Sequence, residues 1–207
     1  GVNGGVCTEC ATGSYKGPDM ESCALCPSNS TTATAAATSL QACRCNPGYH
    51  GDNGGSCAAC PKGLYKTSSG PAACVSCPQF ATTSGIANTE LAACMCSPGY
   101  TGADGSSCSA CPVGTYKAVS GSSACTQCSN QHSTTAATGS QAATACVCIA
   151  GYTGAAGGTC TACPKGTYKS AVGSADCTSC GASATTATTA TSTASACACL
   201  TGYSRVD

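Results

Sequence analysis

The chain has 207 residues, with eight basic and eight acidic side chains and no net charge at pH 7. Charges scattered singly exclude a basic nucleic-acid-binding surface, and the lack of any run of about 18 apolar residues excludes a membrane-spanning helix in this segment. With no Trp, one Phe and two Met against 24 Cys, the chain lacks the large apolar side chains that a single core of this length needs.

Taken in chain order, the cysteines form one pattern four times. The first unit opens on C-x2-C at Cys7 and Cys10, and a second C-x2-C follows at Cys23 and Cys26. After a Ser/Thr/Ala stretch comes C-x-C, at Cys43 and Cys45. The next units open at Cys57, Cys108 and Cys160, steps of 50, 51 and 52 residues. A period this regular predicts a tandem array of small modules. Ordering about 50 residues costs on the order of 75 kcal/mol. Ala and Cys bury too little area to offset that, so covalent staples or a metal must contribute.

After each C-x-C comes a Gly-Tyr step, at Gly48-Tyr49, Gly99-Tyr100, Gly151-Tyr152 and Gly202-Tyr203. With the glycines that follow (Gly51, Gly54 and Gly55 in the first unit), it predicts a tight β-hairpin running to the next opening cysteine.

The spacing Cys7-x2-Cys10…Cys23-x2-Cys26 also fits a four-cysteine zinc site. Zinc would leave every C-x-C idle and crowd thiolates together with few cations to offset them. The two histidines, His50 and His132, do not recur between repeats. Disulfides use all six cysteines of a unit and suit a loop-rich chain of small residues. Six cysteines allow fifteen connectivities, and spacing alone does not choose among them.

The run Cys60-Pro61-Lys62-Gly63-Leu64-Tyr65-Lys66, then Cys77-Pro78, then Cys94-Met95-Cys96-Ser97-Pro98-Gly99-Tyr100 resembles the ephrin-receptor-like cysteine-rich repeat. The opening returns at Cys111–Lys117 and Cys163–Lys169; the first unit departs from it with Ala11 in place of Pro. The segment from each C-x-C to the next opening cysteine also resembles the end of an epidermal-growth-factor-like module. That second resemblance implies the last two cysteines paired with each other and the four before them paired alternately. The implied bonds are Cys10–Cys26, Cys23–Cys43 and Cys45–Cys57 in the first module. In the second they are Cys60–Cys77, Cys74–Cys94 and Cys96–Cys108, and in the third Cys111–Cys128, Cys125–Cys146 and Cys148–Cys160. The fourth would have Cys163–Cys180 and Cys177–Cys197.

In this frame residues 1–7 are the tail of a preceding module. Modules span 8–57, 58–108, 109–160 and 161–207, the last with its hairpin left open at Cys199. Cys7 and Cys199 are the two cysteines without an in-chain partner. The expectation is that Cys199 bonds to Cys7 of a following unit, so that the chain's partner is itself, head to tail or as a continuing chain. The expected fold class is a tandem epidermal-growth-factor-like array of small disulfide-rich modules, mostly irregular with short β-hairpins, forming an extended rod.

The Ser/Thr/Ala stretches carry no period long enough to predict an element and read as solvated loops suited to covalent glycans. The candidate O-linked positions are Thr31, Thr32, Thr82, Thr83, Thr134, Thr135, Thr185, Thr186, Thr188 and Thr189. Asn29-Ser30-Thr31 is an N-glycosylation sequon. The eight tyrosines, two per module, are expected to pack over disulfides or at module junctions. The Lys after the first Tyr of each unit is expected to lay its stem along the small core.

No nucleophile–base arrangement can be built from two unrelated histidines. No phosphate-binding loop has a strand-then-helix context, and Thr8-Glu9 and Ala58-Ala59 lack the acidic cluster of a calcium-binding module. The reading is a non-enzyme without cofactor or metal, extracellular or at the cell surface. Its expected role is a structural segment of a fibre, stalk or coat. The Ala/Thr/Ser/Gly composition is similar to filament glycoproteins of the mastigoneme type, the microalgal flagellar hairs. The alternative is a ligand-binding ectodomain of a receptor or adhesin, for which Phe80 and Ile86 in the second module are the candidate contacts.

Overall fold

The computed structural model describes residues 6–204. The chain divides into two units, residues 1–96 with 103–108 and residues 97–102 with 109–207. Strands are two or three residues long and pair only in antiparallel twos. Such ladders are too short to stand alone in water, so the cross-links between them carry the fold.

In the first unit, Ser14–Tyr15 pairs with Ala24–Leu25, and Ser30–Thr32 pairs with Cys43–Cys45. Tyr49–His50 then pairs with Ala58–Ala59, which is the hairpin expected from the Gly-Tyr step. The first two motifs recur as Leu64–Tyr65 with Val75–Ser76 and Ala81–Thr82 with Met95–Cys96. One 3-10 turn precedes each C-x-C, at Leu40–Ala42 and Leu91–Ala93.

The second unit starts with a Gly-Tyr hairpin, Tyr100–Thr101 against Ser109–Ala110. Thr115–Tyr116 with Thr126–Gln127 and Ser133–Thr135 with Cys146–Cys148 follow. Then come Tyr152–Thr153 with Thr161–Ala162, Thr167–Tyr168 with Thr178–Ser179, and Ala184–Thr185 with Ala198–Cys199. Its 3-10 turns are Ala143–Ala145 and Ala194–Ala196.

The Ser/Thr/Ala stretches are therefore not wholly loops. Each begins with a strand that pairs with the C-x-C strand, placing Thr31 opposite Arg44 and Thr32 opposite Cys43. Their one or two threonines suit a pleated surface, but strands of two or three residues are too short for an alternation to show in the sequence.

Eleven disulfides form among the described residues. The hairpin bonds Cys45–Cys57, Cys96–Cys108 and Cys148–Cys160 are present. The alternating bonds are not. Cys10–Cys26 and Cys23–Cys43 are replaced by Cys10–Cys23 and Cys26–Cys43. Cys60–Cys77 and Cys74–Cys94 give way to Cys60–Cys74 and Cys77–Cys94. Cys111–Cys128 and Cys125–Cys146 give way to Cys111–Cys125 and Cys128–Cys146. Cys163–Cys180 and Cys177–Cys197 give way to Cys163–Cys177 and Cys180–Cys197.

The physical reason lies in the strand that each second C-x2-C brackets. Cys23 and Cys26 flank Ala24–Leu25, and residues three apart on an extended strand point to opposite faces. Cys23 faces back to Cys10, at a Cα separation of 5.6 Å. Cys26 donates its N–H to Gly13 O at 2.8 Å and faces on to the C-x-C strand and Cys43. The staples thus lie in series. Each closes a loop of 12 to 18 residues, worth about 3 kcal/mol in the chain-entropy account.

The interior is made mostly of sulfur. Cys43, Cys45, Cys60, Cys94, Cys96, Cys111, Cys148 and Cys163 are fully buried. Cys10, Cys108, Cys146, Cys160 and Cys197 are also buried, and the buried polar side chains are Ser14, four threonines and three lysines. The tyrosines are half-buried, apart from Tyr203, which is exposed.

Candidate functional site: the hydroxyl face and the repeat joints

Each Ser/Thr/Ala stretch carries a Thr-Thr step, and alternation along the strand separates the two side chains. The second threonine points inward: Thr32, Thr83, Thr135 and Thr186 are 3, 1, 1 and 2 % exposed. Thr32 Oγ1 accepts from Gly13 N at 3.0 Å and donates to Thr34 O at 2.8 Å. Thr83 does the same with Gly63 N and Gly85 O, Thr135 with Gly114 N and Ala137 O, and Thr186 with Gly166 N and Thr188 O. These four hydroxyls tie the x-G-x-Y turn to the loop. Their expected role as glycan carriers is corrected here, because a buried hydroxyl with both bonding functions engaged leaves no room for a sugar.

The remaining candidates lie further out. Thr31, Thr82, Thr134 and Thr185 are half-buried on the outer face of the same strands, and Thr188 and Thr189 are exposed. Asn29 is exposed in a turn at φ 61°, where Ser30 N bonds Pro27 O. Asn tolerates that left-handed region better than most residues.

The repeat joints form the second constellation. In the second, third and fourth repeats the lysine that ends the C-x2-G-x-Y-K run reaches back beneath the Gly-Tyr hairpin of the repeat before it. Lys66 Nζ donates to Tyr49 O at 2.8 Å and to Gly70 O at 2.6 Å. Lys117 Nζ donates to Tyr100 O at 2.8 Å and to Gly121 O, and Lys169 Nζ to Tyr152 O at 2.7 Å and to Gly173 O. The three lysines are 3, 2 and 4 % exposed. Burial pushes Lys66 and Lys169 below the ordinary lysine value, since desolvation disfavours the charged form. Lys16, at the corresponding place in the first repeat, is exposed.

Main-chain bonds complete each joint. Gly48 N donates to Lys66 O, Cys60 N to Gly48 O and Gly70 N to Cys45 O, at 2.8 to 2.9 Å. Gly151 N to Lys169 O, Cys163 N to Gly151 O and Gly173 N to Cys148 O repeat the set. Gly99 N to Lys117 O and Cys111 N to Gly99 O belong to the joint between them. The hairpin glycine approaches the next repeat closely. A Cβ on Gly48 would lie 2.4 Å from Ala87 O, and one on Gly151 would lie 2.3 Å from Ala190 O. Above the third joint His132 stacks on Tyr152, with ring centroids 3.9 Å apart.

The lysines were legible only as stems along a small core. Their acceptors are main-chain carbonyls, which leave no mark in a sequence. Cys7, exposed, and Cys199, half-buried, are the free cysteines among the described residues. Cys199 lines a cavity of about 350 Å³ with Tyr168 and the Cys180–Cys197 bond. No group of three or more His, Cys, Asp or Glu that could hold a metal occurs among the described residues. No helix among them is long and apolar enough to cross a membrane.

Comparison with known proteins agrees with this anatomy. A family model described as tyrosine-protein kinase ephrin type A/B receptor-like matches residues 2–43, 48–94, 99–146 and 151–197. No curated protein matches the chain. The four matches cover most of the sequence; the second to fourth start on the glycine of a Gly-Tyr step, and all four end on the first cysteine of a C-x-C. Repeats of this type are modules of receptor ectodomains rather than catalytic domains, and with eleven disulfides they point to an extracellular or secreted protein. The chain belongs to the ephrin-receptor-like family of cysteine-rich repeats, of which it carries four in tandem.

Proposed function

We propose that the chain is a structural segment of an extracellular fibre, stalk or surface coat, with glycans on the outer face of its repeats. The observation that supports this is the joint. The same buried lysine, with two main-chain bonds common to all three joints, recurs at Lys66, Lys117 and Lys169, as suits a part whose work is repetition. Glycans sit on Asn29, on the outward threonines Thr31, Thr82, Thr134 and Thr185, and on Thr188 and Thr189. The chain associates with itself: Cys199 bonds to Cys7 of a following unit, the two thiols losing two protons and two electrons to a disulfide donor such as oxidised glutathione. Negative-stain microscopy and non-reducing gels of native material test the reading. Filaments, and a ladder that collapses on reduction, are expected. Discrete monomers with two titratable thiols would overturn it.

The alternative, a ligand-binding ectodomain of a cell-surface receptor or adhesin, is favoured by one break in the repeat symmetry. Phe80 and Ile86, 45 and 66 % exposed, stand where the first repeat has Asn29 and Ala35 and the fourth has Ser183 and Thr189. Monomers that capture a protein ligand, and lose it on Phe80→Ser with Ile86→Thr, would establish that alternative.

A further inference from the structure

We propose that the face built by Cys60, Lys66 and Gly70, and its equivalents at Lys117 and Lys169, is a docking surface that holds a Gly-Tyr hairpin by its main chain, so that the hairpin of any repeat in this chain fits the joint of any other. Every hydrogen bond that the first joint makes to its hairpin ends on a backbone atom of the hairpin. Tyr49 O takes the ammonium proton, Gly48 N and Gly48 O bond Lys66 O and Cys60 N, and Cys45 O takes Gly70 N. The Lys169 joint makes the same four bonds to Tyr152, Gly151 and Cys148; Thr153 Oγ1 adds a side-chain bond to Ala175 O, as Thr101 Oγ1 does to Ser123 O, at the position where the first hairpin has His50. The hairpins nevertheless differ around the shared Gly-Tyr: Asn46, Pro47 and His50 in the first, Ile149, Ala150 and Thr153 in the third. The side-chain feature common to the three hairpins is the absence of a Cβ at Gly48, Gly99 and Gly151, each at φ 81 to 83° and each facing a carbonyl within 2.4 Å of where a Cβ would sit.

On the docking side the ammonium is the selective element. It is a buried cation among the dipoles of carbonyl groups, and in Lys66 and Lys169 those carbonyls are its partners among the described residues. A buried charge needs such partners, and the second carbonyl comes from the lysine's own loop, at Gly70 and Gly173. Closing the hairpin therefore completes the lysine's cage. Lys16, with no hairpin above it among the described residues, stays exposed. The inference concerns how repeats join and holds whether the array serves as a fibre or as a receptor ectodomain, so its failure and the failure of the proposed function are separate results.

Two measurements test it. In the native protein, acylation by a water-soluble N-hydroxysuccinimide ester should be at least about tenfold slower at Lys66 and Lys169 than at the exposed Lys62 and Lys165, because reaction requires the joint to open. Equal rates would overturn the proposal without any variant being made. In amide exchange, the triple change Asn46→Ile, Pro47→Ala and His50→Thr gives the first hairpin the third's side chains. It should leave protection of Gly48, Cys60 and Gly70 within about threefold of wild type. Lys66→Met should lose at least about tenfold at the same amides, and Lys16→Met should change none of them. Loss of protection in the triple variant, or its retention in Lys66→Met, would overturn the proposal. Peptide mapping of Cys45–Cys57 and Cys60–Cys74 establishes that each variant has kept its staples.

Discussion

The buried threonines give the sharpest quantitative test. Thr83 is 1 % exposed, and its hydroxyl accepts from Gly63 N at 3.0 Å and donates to Gly85 O at 2.8 Å. Valine has nearly the same shape and neither hydrogen-bonding function. In Thr83→Val, Gly85 O keeps a second donor, Asn88 Nδ2 at 2.8 Å, so the cost concentrates on the orphaned Gly63 N–H. An unsatisfied buried donor costs about 1–3 kcal/mol, which corresponds to roughly 5- to 150-fold in a local opening equilibrium. The neighbouring reporter is the Cys77 amide, bonded to Gly63 O at 2.8 Å. Its hydrogen exchange should accelerate within that range while the disulfides stay intact. Thr83→Ser keeps the hydroxyl and should lose only the methyl contribution, about 0.8 kcal/mol. Thr82→Val, on the outer face, should be near neutral, since valine suits a strand. Equal exchange at Cys77 in wild type and Thr83→Val would refute the keystone role, and so would equal damage from Thr83→Ser and Thr83→Val.

The Lys66 and Lys169 ammonium groups should titrate, by NMR, below the 10.5 of an ordinary lysine; a midpoint at or above the value of the reduced, unfolded chain would contradict desolvation. Between the lowered folded value and 10.5 the unfolded state binds more protons, so stability contributed by these lysines rises with pH in that window and is smallest below it. Gly151→Ala forces a left-handed conformation costing about 1–2 kcal/mol and a Cβ 2.3 Å from Ala190 O. Protection of the Cys163 amide should fall in that variant, and its retention would show that the joint can yield. Cleavage after Leu25 without reduction should release the Cys10–Cys23 peptide from the Cys26–Cys43 peptide, which alternating bonds would hold together. Glycopeptide mapping should find sugar at Asn29, with an aspartate left at position 29 after enzymatic removal, and none at Thr32, Thr83, Thr135 or Thr186.

The repeat period and the Gly-Tyr hairpins were legible because spacing and glycine placement carry them, while the hairpin disulfides such as Cys45–Cys57 followed from the resemblance to an epidermal-growth-factor-like module. The bonds of the two C-x2-C pairs were not. Cys23 and Cys26 lie at similar distances along the chain from both Cys10 and Cys43, so loop length allows either assignment. The deciding fact is which face of a two-residue strand each sulfur occupies, and so short a strand shows no alternation. The Thr-Thr steps were visible in all four repeats, but their composition resembles a solvated loop. Thr32 is buried because Gly13 presents an N–H and no side chain to it. Lys66 was hidden for the same reason: its partners are the carbonyls of Tyr49 and Gly70. Where recognition runs through the main chain, the letters of the sequence record only one side of it.

Because no bond among the eleven encloses a cysteine belonging to another, every ring is complete once its second sulfur has been made, at most 18 residues after the first. For these eleven rings, a nascent chain entering an oxidising compartment does not have to hold a thiol in reserve while a later partner is synthesised. Each ring can form on its own stretch of polypeptide, with the low sequence separation that speeds folding. Oxidation can keep pace with translocation, and an interruption leaves finished rings behind it.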